Sequence, residues 1–79
     1  MEIQAIKTIL EKHARLSAEI SALSEDSDLY DAGLTSLTTV NVMLALEDQF
    51  GVEFSEKMLG RKTFQSIRTI GEAISELKN

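Results

Sequence analysis

The apolar residues of this chain recur at helical spacing, and no proline interrupts the pattern anywhere in its 79 residues. Near the start, Ile3, Ile6 and Leu10 fall at positions i, i+3 and i+7, which is the period of one face of an α-helix. Proline would break such helices, because it lacks a backbone N–H and clashes with the preceding turn. With no proline and only four glycines, the chain is predicted to fold as an all-α bundle.

The length and the charge of the chain limit what it can be. Seventy-nine residues suffice for one domain, which we expect to span residues 1–79 and to be a monomer. The formal net charge of −5 argues against nucleic acid or an anionic membrane as partner. It fits either a basic protein partner or a simple need for solubility. No stretch has the pattern of a signal peptide or a membrane-spanning helix, so a cytoplasmic location is expected.

Periodicity and capping residues predict four helices of unequal length. Gly51 is expected to end the second helix, while Ser55 and Thr63 are expected to cap the third and the fourth. The predicted helices are residues 2–16, a second from Ser36 or Leu37 to Phe50, a short third at Glu56–Leu59, and a last at Phe64–Leu77.

A long connection, residues 17–34, separates the first two predicted helices. It is rich in serine and aspartate, which favour turns, and a connection of this length is usually functional in a small domain. Apolar side chains within it are expected to hold it against the bundle, with one helical turn of its own. These side chains are Ile20, Leu23, Leu29 and Tyr30.

The second predicted helix is apolar on two sides. One stripe suits the core, and a second stripe formed by Leu37, Val40 and Leu44 is rotated away from it. Either a neighbouring element covers this second stripe or it is a docking edge, and a bundle with few helices favours the docking edge. The first stripe is Val42, Met43, Leu46 and Phe50, and the polar residues Asn41, Glu47 and Asp48 border the second.

Little in the chain suggests catalysis or metal binding. The single histidine, His13, is late in a helix and is expected to be a surface cation. The Gly-x-Ser-x-Gly elbow of serine hydrolases is absent around Ser36, and the stretch from Asp26 lacks the glycine and the glutamate that a calcium loop requires. The absence of cysteine excludes thiolate metal sites. From these observations together we predict no catalytic residue and no metal site.

Ser36 lies where the second helix begins. Its simplest role would be to cap that helix, but Thr35 can do so equally well. A phosphate ester on Ser36 would lie beside free backbone N–H groups and the positive end of the helix dipole. A separate enzyme can supply the base and the metal that form such an ester, so this chain needs neither.

Two blocks of the sequence resemble the acyl and peptidyl carrier proteins: Leu29–Val40, which contains Gly-Leu-Thr-Ser-Leu, and Leu44–Phe54, which reads Leu-Ala-Leu-Glu-Asp-Gln-Phe-Gly-Val-Glu-Phe. The resemblance implies a four-helix bundle of the acyl-carrier type, with three longer helices, a short third helix and a long loop between the first and second. It also implies that Ser36 carries a 4′-phosphopantetheine arm, derived from coenzyme A, whose thiol holds a cargo as a thioester.

The chain departs from that family in its charges. Thr35 stands where the family usually has aspartate, and the second helix has fewer acids, whereas residues 57–68 contain four bases and no acid. These departures indicate a specialised carrier with its own loading enzyme, whose cargo is a fatty acyl group, a polyketide intermediate or an amino acid. The alternative is an unmodified helical interaction domain that kept the fold and lost the arm.

The resemblance further implies partners and site residues. The partners would be a phosphopantetheinyl transferase, a cargo-loading ligase or synthetase, and downstream acyl-processing enzymes. The cargo is expected to fold back into the apolar interior, where the lining residues otherwise serve as core packing. The docking residues would be Thr35, Leu37, Val40, Asn41, Leu44, Glu47 and Asp48, and the cargo-pocket candidates are Val42, Met43, Leu46, Phe50, Phe54 and Ile67.

Overall fold

The computed structural model describes residues 2–17 and 19–78, and within them the protein is all-helical, as the periodicity predicts. The order of helix, long loop, helix, short turn and helix also agrees with the prediction. The elements are α1 (Ile3–His13), a first 3₁₀ turn (Ile20–Ala22), α2 (Ser36–Phe50), a second 3₁₀ turn (Glu56–Met58) and α3 (Ile67–Lys78).

α1 packs against both α2 and α3, and the three helices enclose one apolar core. The rings of Phe54 and Phe64, from the segment that joins α2 to α3, complete the core with their centroids 5.5 Å apart. The buried members of the core are Ile6, Ile9, Leu10, Ala14, Leu29, Leu34, Val42, Leu46, Phe54, Phe64, Ile67, Ile70, Ala73 and Ile74.

The long loop between α1 and α2 is held to the bundle, as its apolar residues predict. Leu29 is fully buried, and Ile20, Leu23 and Tyr30 pack against the core. Backbone hydrogen bonds add to this, because the Leu29 N–H donates to the Gln65 carbonyl at 2.7 Å. The Arg68 N–H donates to the Glu25 carbonyl at 2.9 Å, and the Ser17 N–H to the Ala32 carbonyl at 2.7 Å. The two ends of the loop are therefore bonded to each other, and its middle is bonded to α3 and to the residues just before α3.

α1 is shorter than predicted and ends at His13 rather than at residue 16. Ala14 is its C-cap, and Arg15 has a φ of 51°, a left-handed conformation that no helix continues through. Leu16, which extended the apolar stripe in the sequence, packs on the core from outside the helix.

The third predicted helix is a single 3₁₀ turn at Glu56–Met58, and Ser55 makes no side-chain capping bond to it. The last helix starts at Ile67 instead of Phe64. Ser66 caps this helix. The Thr69 N–H donates to Ser66 Oγ at 3.2 Å, and the Ser66 N–H donates to Thr69 Oγ1 at 3.0 Å. Thr63 is therefore not the cap.

Two further properties concern the described residues only. None of their helices combines the length and the apolarity needed to cross a bilayer. No cluster of three or more histidine, aspartate or glutamate side chains among them could hold a metal ion.

Candidate functional site

Thr35, and not Ser36, caps α2. Thr35 is in an extended conformation, and its Oγ1 accepts a hydrogen bond from the Thr38 N–H at 3.2 Å. In return, the Thr35 N–H donates to Thr38 Oγ1 at 3.0 Å, which completes a capping box. Because Thr35 and Thr38 satisfy each other, the side chain of Ser36 is left without a capping task.

Ser36 is the first residue of α2, and its side chain is exposed. Its Oγ takes part in none of the side-chain hydrogen bonds formed among the described residues. Thr35 accepts the N–H groups of Thr38 and Thr39, whereas those of Ser36 and Leu37 have no acceptor within the helix and point out of the end on which Ser36 lies. An accessible hydroxyl beside free donors and the positive end of a helix dipole suits a phosphate ester.

The backbone before α2 is shaped by Gly33, which has a φ of 115°. The position is also crowded, because a Cβ on Gly33 would lie 2.9 Å from the Ser17 backbone nitrogen. Leu34 follows and is buried, with its N–H bonded to the Leu29 carbonyl at 2.9 Å. Glycine and a buried leucine thus fix the direction in which Thr35 and Ser36 enter the helix.

An open cleft of about 340 Å³ adjoins Ser36. Ser36, Thr39 and Val40 of α2 form one wall, and residues from the segment after the second 3₁₀ turn form another. Across it, the Arg61 guanidinium carbon lies 4.1 Å from the centroid of the Tyr30 ring, a cation–π distance. The cleft is lined by Tyr30, Ser36, Thr39, Val40, Leu59, Gly60, Arg61 and Phe64.

The second apolar stripe of α2 is uncovered, as its pattern predicted. Leu37 is 75% exposed, Leu44 55% and Val40 48%. Val40 also lines the cleft beside Ser36, whereas Leu44 lines a different cleft of about 610 Å³ between α1 and α2. The stripe therefore runs from the attachment candidate toward the groove between the two helices, and its docking role stays a prediction.

The polar docking candidates are not equivalent. Glu47 is half-buried, and its Oε2 accepts a hydrogen bond from the Phe54 N–H at 2.9 Å, so this carboxylate holds the segment that follows α2. Asn41 and Asp48 are exposed and line the groove between α1 and α2. Thr35 is exposed but is occupied by the capping box.

The six cargo-pocket candidates lie in or against the core. Val42, Leu46 and Ile67 are fully buried and Phe54 nearly so, while Met43 and Phe50 are half-buried. None of the six lines the cleft beside Ser36 or the groove between α1 and α2. Their packing role is evident, and their role as a cargo pocket stays a prediction.

Sequence reasoning did not identify Tyr30, Leu59 and Arg61 as neighbours of Ser36. The basic stretch at residues 57–68 was the one signal, and it points to charge without showing where that charge lies. The cleft joins residues from the long loop, from α2 and from the segment after the second 3₁₀ turn. Only the fold brings these segments together.

Residues 4–75 match the protein family described as "Phosphopantetheine attachment site". The chain is 38% identical over 69 residues to an aminoacyl carrier protein of Agrobacterium fabrum, covering 87% of this chain and 83% of the relative. It is 35% identical over 72 residues to a D-alanyl carrier protein of Streptococcus uberis, covering 90% of this chain and 91% of that protein.

The fold is similar to a chain in a crystal structure of an engineered Bradyrhizobium japonicum glycine:[carrier protein] ligase complexed with a carrier protein from Agrobacterium tumefaciens and AMP. The TM-score is 0.89 at 36% sequence identity, with 92% of this chain and 97% of that chain covered.

Proposed function

This chain belongs to the phosphopantetheine-attachment family of carrier proteins, whose members bear a covalent 4′-phosphopantetheine group, and we propose that Ser36 is the residue that bears it here. One observation carries the assignment. Ser36 is an exposed first residue of a helix whose cap is supplied by its neighbour Thr35, so its hydroxyl is free to react. The matched residues 4–75 include this position.

The attachment is a transfer from coenzyme A. Ser36 Oγ forms a bond to the phosphorus that bears pantetheine, the diphosphate bond of coenzyme A breaks, and adenosine 3′,5′-bisphosphate leaves. The proton of the hydroxyl passes to a base of the phosphopantetheinyl transferase. His13 is exposed at the end of α1 and lines the groove between α1 and α2 rather than the cleft beside Ser36, so it is not placed to act as that base.

We assign to the chain the role of a carrier that catalyses no reaction of its own. The prosthetic group supplies a terminal thiol on which an activated acid is held as a thioester. The residues of this chain contribute the attachment point, the donors at the start of α2 and an apolar surface for partner enzymes. Residues 1–79 act as one domain and as a monomer in this proposal.

The cargo is an amino acid in this proposal. The relatives with the names aminoacyl and D-alanyl carrier protein, and the glycine:[carrier protein] ligase in the structural comparison, support an amino acid over a fatty acyl or polyketide chain. The tight packing of the predicted cargo-pocket residues agrees with a small cargo, because a long acyl chain would need space within the core.

The partner that loads the cargo is an amino acid:[carrier protein] ligase, which docks on Leu37, Val40 and Leu44. These three side chains form exposed apolar surface beside Ser36, the kind of patch that marks protein interfaces. A phosphopantetheinyl transferase and downstream acyl-processing enzymes would use the same end of α2, because each must reach the arm.

The attachment is tested by intact mass. Wild-type protein incubated with coenzyme A and a broad-specificity phosphopantetheinyl transferase is expected to gain one phosphopantetheine group, and Ser36→Ala to gain none. Ser75→Ala, which removes an exposed serine of α3, serves as the matched control and is expected to react like wild type. An adduct on Ser36→Ala would show that another residue is the attachment site. No adduct on wild type with several transferases would favour the unmodified interaction domain.

The cargo is tested on the modified protein. Amino acid:[carrier protein] ligases are supplied with ATP and a mixture of amino acids, and acyl ligases with fatty acids, and the mass of the carrier is followed. A hydroxylamine-sensitive aminoacyl adduct is expected. Loading by the fatty acyl ligases alone would contradict an amino acid cargo while leaving the assignment of Ser36 intact.

A further inference from the structure

Arg61 lies in the cleft beside Ser36 with its charge uncompensated by a carboxylate of the described chain. The salt bridges formed among the described residues belong to Arg68, which pairs with Glu25 and Asp26. Arg61 is instead placed over the ring of Tyr30, at 4.1 Å. A planar guanidinium that stacks on an aromatic ring keeps its N–H donors directed outward, where they can bind an anion.

The charge around the cleft favours an anion. The whole chain has a formal net charge of −5, yet none of the residues that line this cleft is acidic. Arg61 lies within residues 57–68, which contain four bases and no acid. A guanidinium with no carboxylate partner among the described residues thus lies beside the serine proposed to carry a phosphate.

The remaining walls of the cleft are apolar and partly exposed. Val40 and Leu59 are each 48% exposed, and both line the cleft together with Tyr30 and Arg61. Phosphopantetheine begins with a phosphodiester and continues with a carbon that bears two methyl groups. A cation followed by apolar surface matches that order of groups, and burial of the methyl groups would release water from both surfaces.

We infer that this cleft seats the phosphate end of the arm on its own carrier, with Arg61 as the partner of the phosphodiester and Val40 and Leu59 as the surface for the methyl groups. The inference rests on the proposed function of Ser36, because the occupant is attached there. The phosphodiester is held by Arg61 together with the first N–H groups of α2. The distal end of the arm, with its thiol, stays free to swing.

The seat is tested by NMR of the unmodified and modified protein. Attachment is expected to shift the amide signals of Thr39, Leu59 and Arg61 as well as those next to Ser36. In Arg61→Gln, the shifts at Leu59 and at position 61 are expected to be lost, and the ³¹P signal of the modified protein is expected to move. Lys62→Gln is the matched control, since Lys62 is the adjacent exposed base and does not line the cleft.

A probe on the thiol gives a second readout that does not depend on loading. A nitroxide or a fluorophore attached to the arm is expected to rotate faster in Arg61→Gln than in wild type and in Lys62→Gln. Arg61→Lys, which keeps the charge and loses the stacked planar group, is expected to give an intermediate mobility.

The possible results separate the two proposals. If mass shows the adduct but the shifts stay confined to residues 35–38, and the ³¹P signal is the same in all variants, the seat is wrong while Ser36 remains the attachment site. If no adduct forms on wild type, the proposed function itself fails. High salt is expected to weaken the seat in wild type and to have little effect in Arg61→Gln.

Discussion

In the proposed function, Thr35 and Ser36 divide between them two tasks that one hydroxyl could not perform together. An N-cap must direct its oxygen inward to the first-turn N–H groups, whereas a modified residue must direct its oxygen outward. The capping box of Thr35 with Thr38 fulfils the first task, so Ser36 is left for the second. The sequence showed that this division was possible, because both residues are good caps and only one is needed, but it left open which of the two would cap the helix.

Replacing the cap should lower the stability of the protein without changing Ser36, the proposed attachment residue. Thr35→Ala removes the side-chain oxygen that binds the Thr38 N–H and is expected to cost about 1 kcal/mol of unfolding free energy. Thr35→Asp, which restores a good cap, is the control and is expected to keep stability close to wild type. Thermal or urea unfolding measures both, and a Thr35→Asp variant as unstable as Thr35→Ala would contradict the capping role.

Gly33 gives a second prediction at the residue scale. Gly33→Ala is expected to destabilise the protein by roughly 1–3 kcal/mol, because φ is positive there and the added Cβ would meet the Ser17 backbone. Gly60→Ala is the matched control, since its Cβ would meet nothing within 4 Å. Equal stability losses in urea unfolding of the two variants would show that Gly33 has no special backbone role.

Some residue contacts were beyond sequence reasoning. Glu47 was assigned to docking because it borders the exposed stripe, yet its carboxylate accepts the Phe54 N–H. That contact depends on how the chain turns back after Gly51, which adopts the left-handed conformation that ends α2. Glycine predicted the end of the helix, but no local pattern predicts which side chain the returning segment meets.

At the scale of the element, α2 differs from α1 and α3 because it is apolar on two sides. Only the side of α2 that bears Val42 and Leu46 packs in the core, so Leu37, Val40 and Leu44 on the other side remain exposed. Periodicity predicted both stripes, since the spacing of a helix fixes which residues share a face. It could not decide by itself whether a neighbour covers the second stripe.

The docking stripe is tested by truncating it. Leu37→Ala, Val40→Ala and Leu44→Ala together are expected to lower kcat/KM for loading by the ligase about tenfold or more, since the three changes remove apolar area that docking would bury. Glu76→Ala on α3 is the control for an exposed change elsewhere. Circular dichroism should show an unchanged fold, and unchanged loading kinetics of the triple variant would exclude this stripe as the ligase surface.

The start of α3 shows how a helix boundary is misjudged. Phe64 fits the apolar period of the helix and Thr63 is a good cap type, so the pattern alone places the start too early. The reciprocal bonds of Ser66 and Thr69 fix the start at Ile67, and the carbonyl of Thr63 accepts from Thr69 Oγ1 instead. Phe64 is buried all the same, from the turn before the helix.

At the scale of the molecule, the long loop and α3 are joined by charge as well as by backbone bonds. The Arg68 guanidinium hydrogen-bonds to Asp26 and holds the pKa of that carboxyl below its usual range. Both side chains are largely exposed, so the pair contributes little to stability in salt. The contact between segments 42 residues apart could not be read from local patterns.

The pair predicts a small pH dependence with a definite sign. Because the pKa of Asp26 is lower in the folded than in the unfolded protein, its contribution is present above about pH 4 and is lost as the pH falls through the folded-state value. Asp26→Asn is expected to be slightly less stable than wild type at neutral pH, with the difference vanishing in acid. Asp31→Asn is the control, and a difference that persists unchanged in acid would contradict the ion pair.

Val40 belongs to two surfaces at once, since it is part of the exposed stripe and part of the cleft beside Ser36. A visiting enzyme and the resting arm would thus compete for the same isopropyl group. It follows from the two proposals that arrival of an enzyme dislodges the arm at the moment when the arm is needed. The phosphate end of the arm would then rest on the carrier between encounters and be released only after a partner enzyme has docked.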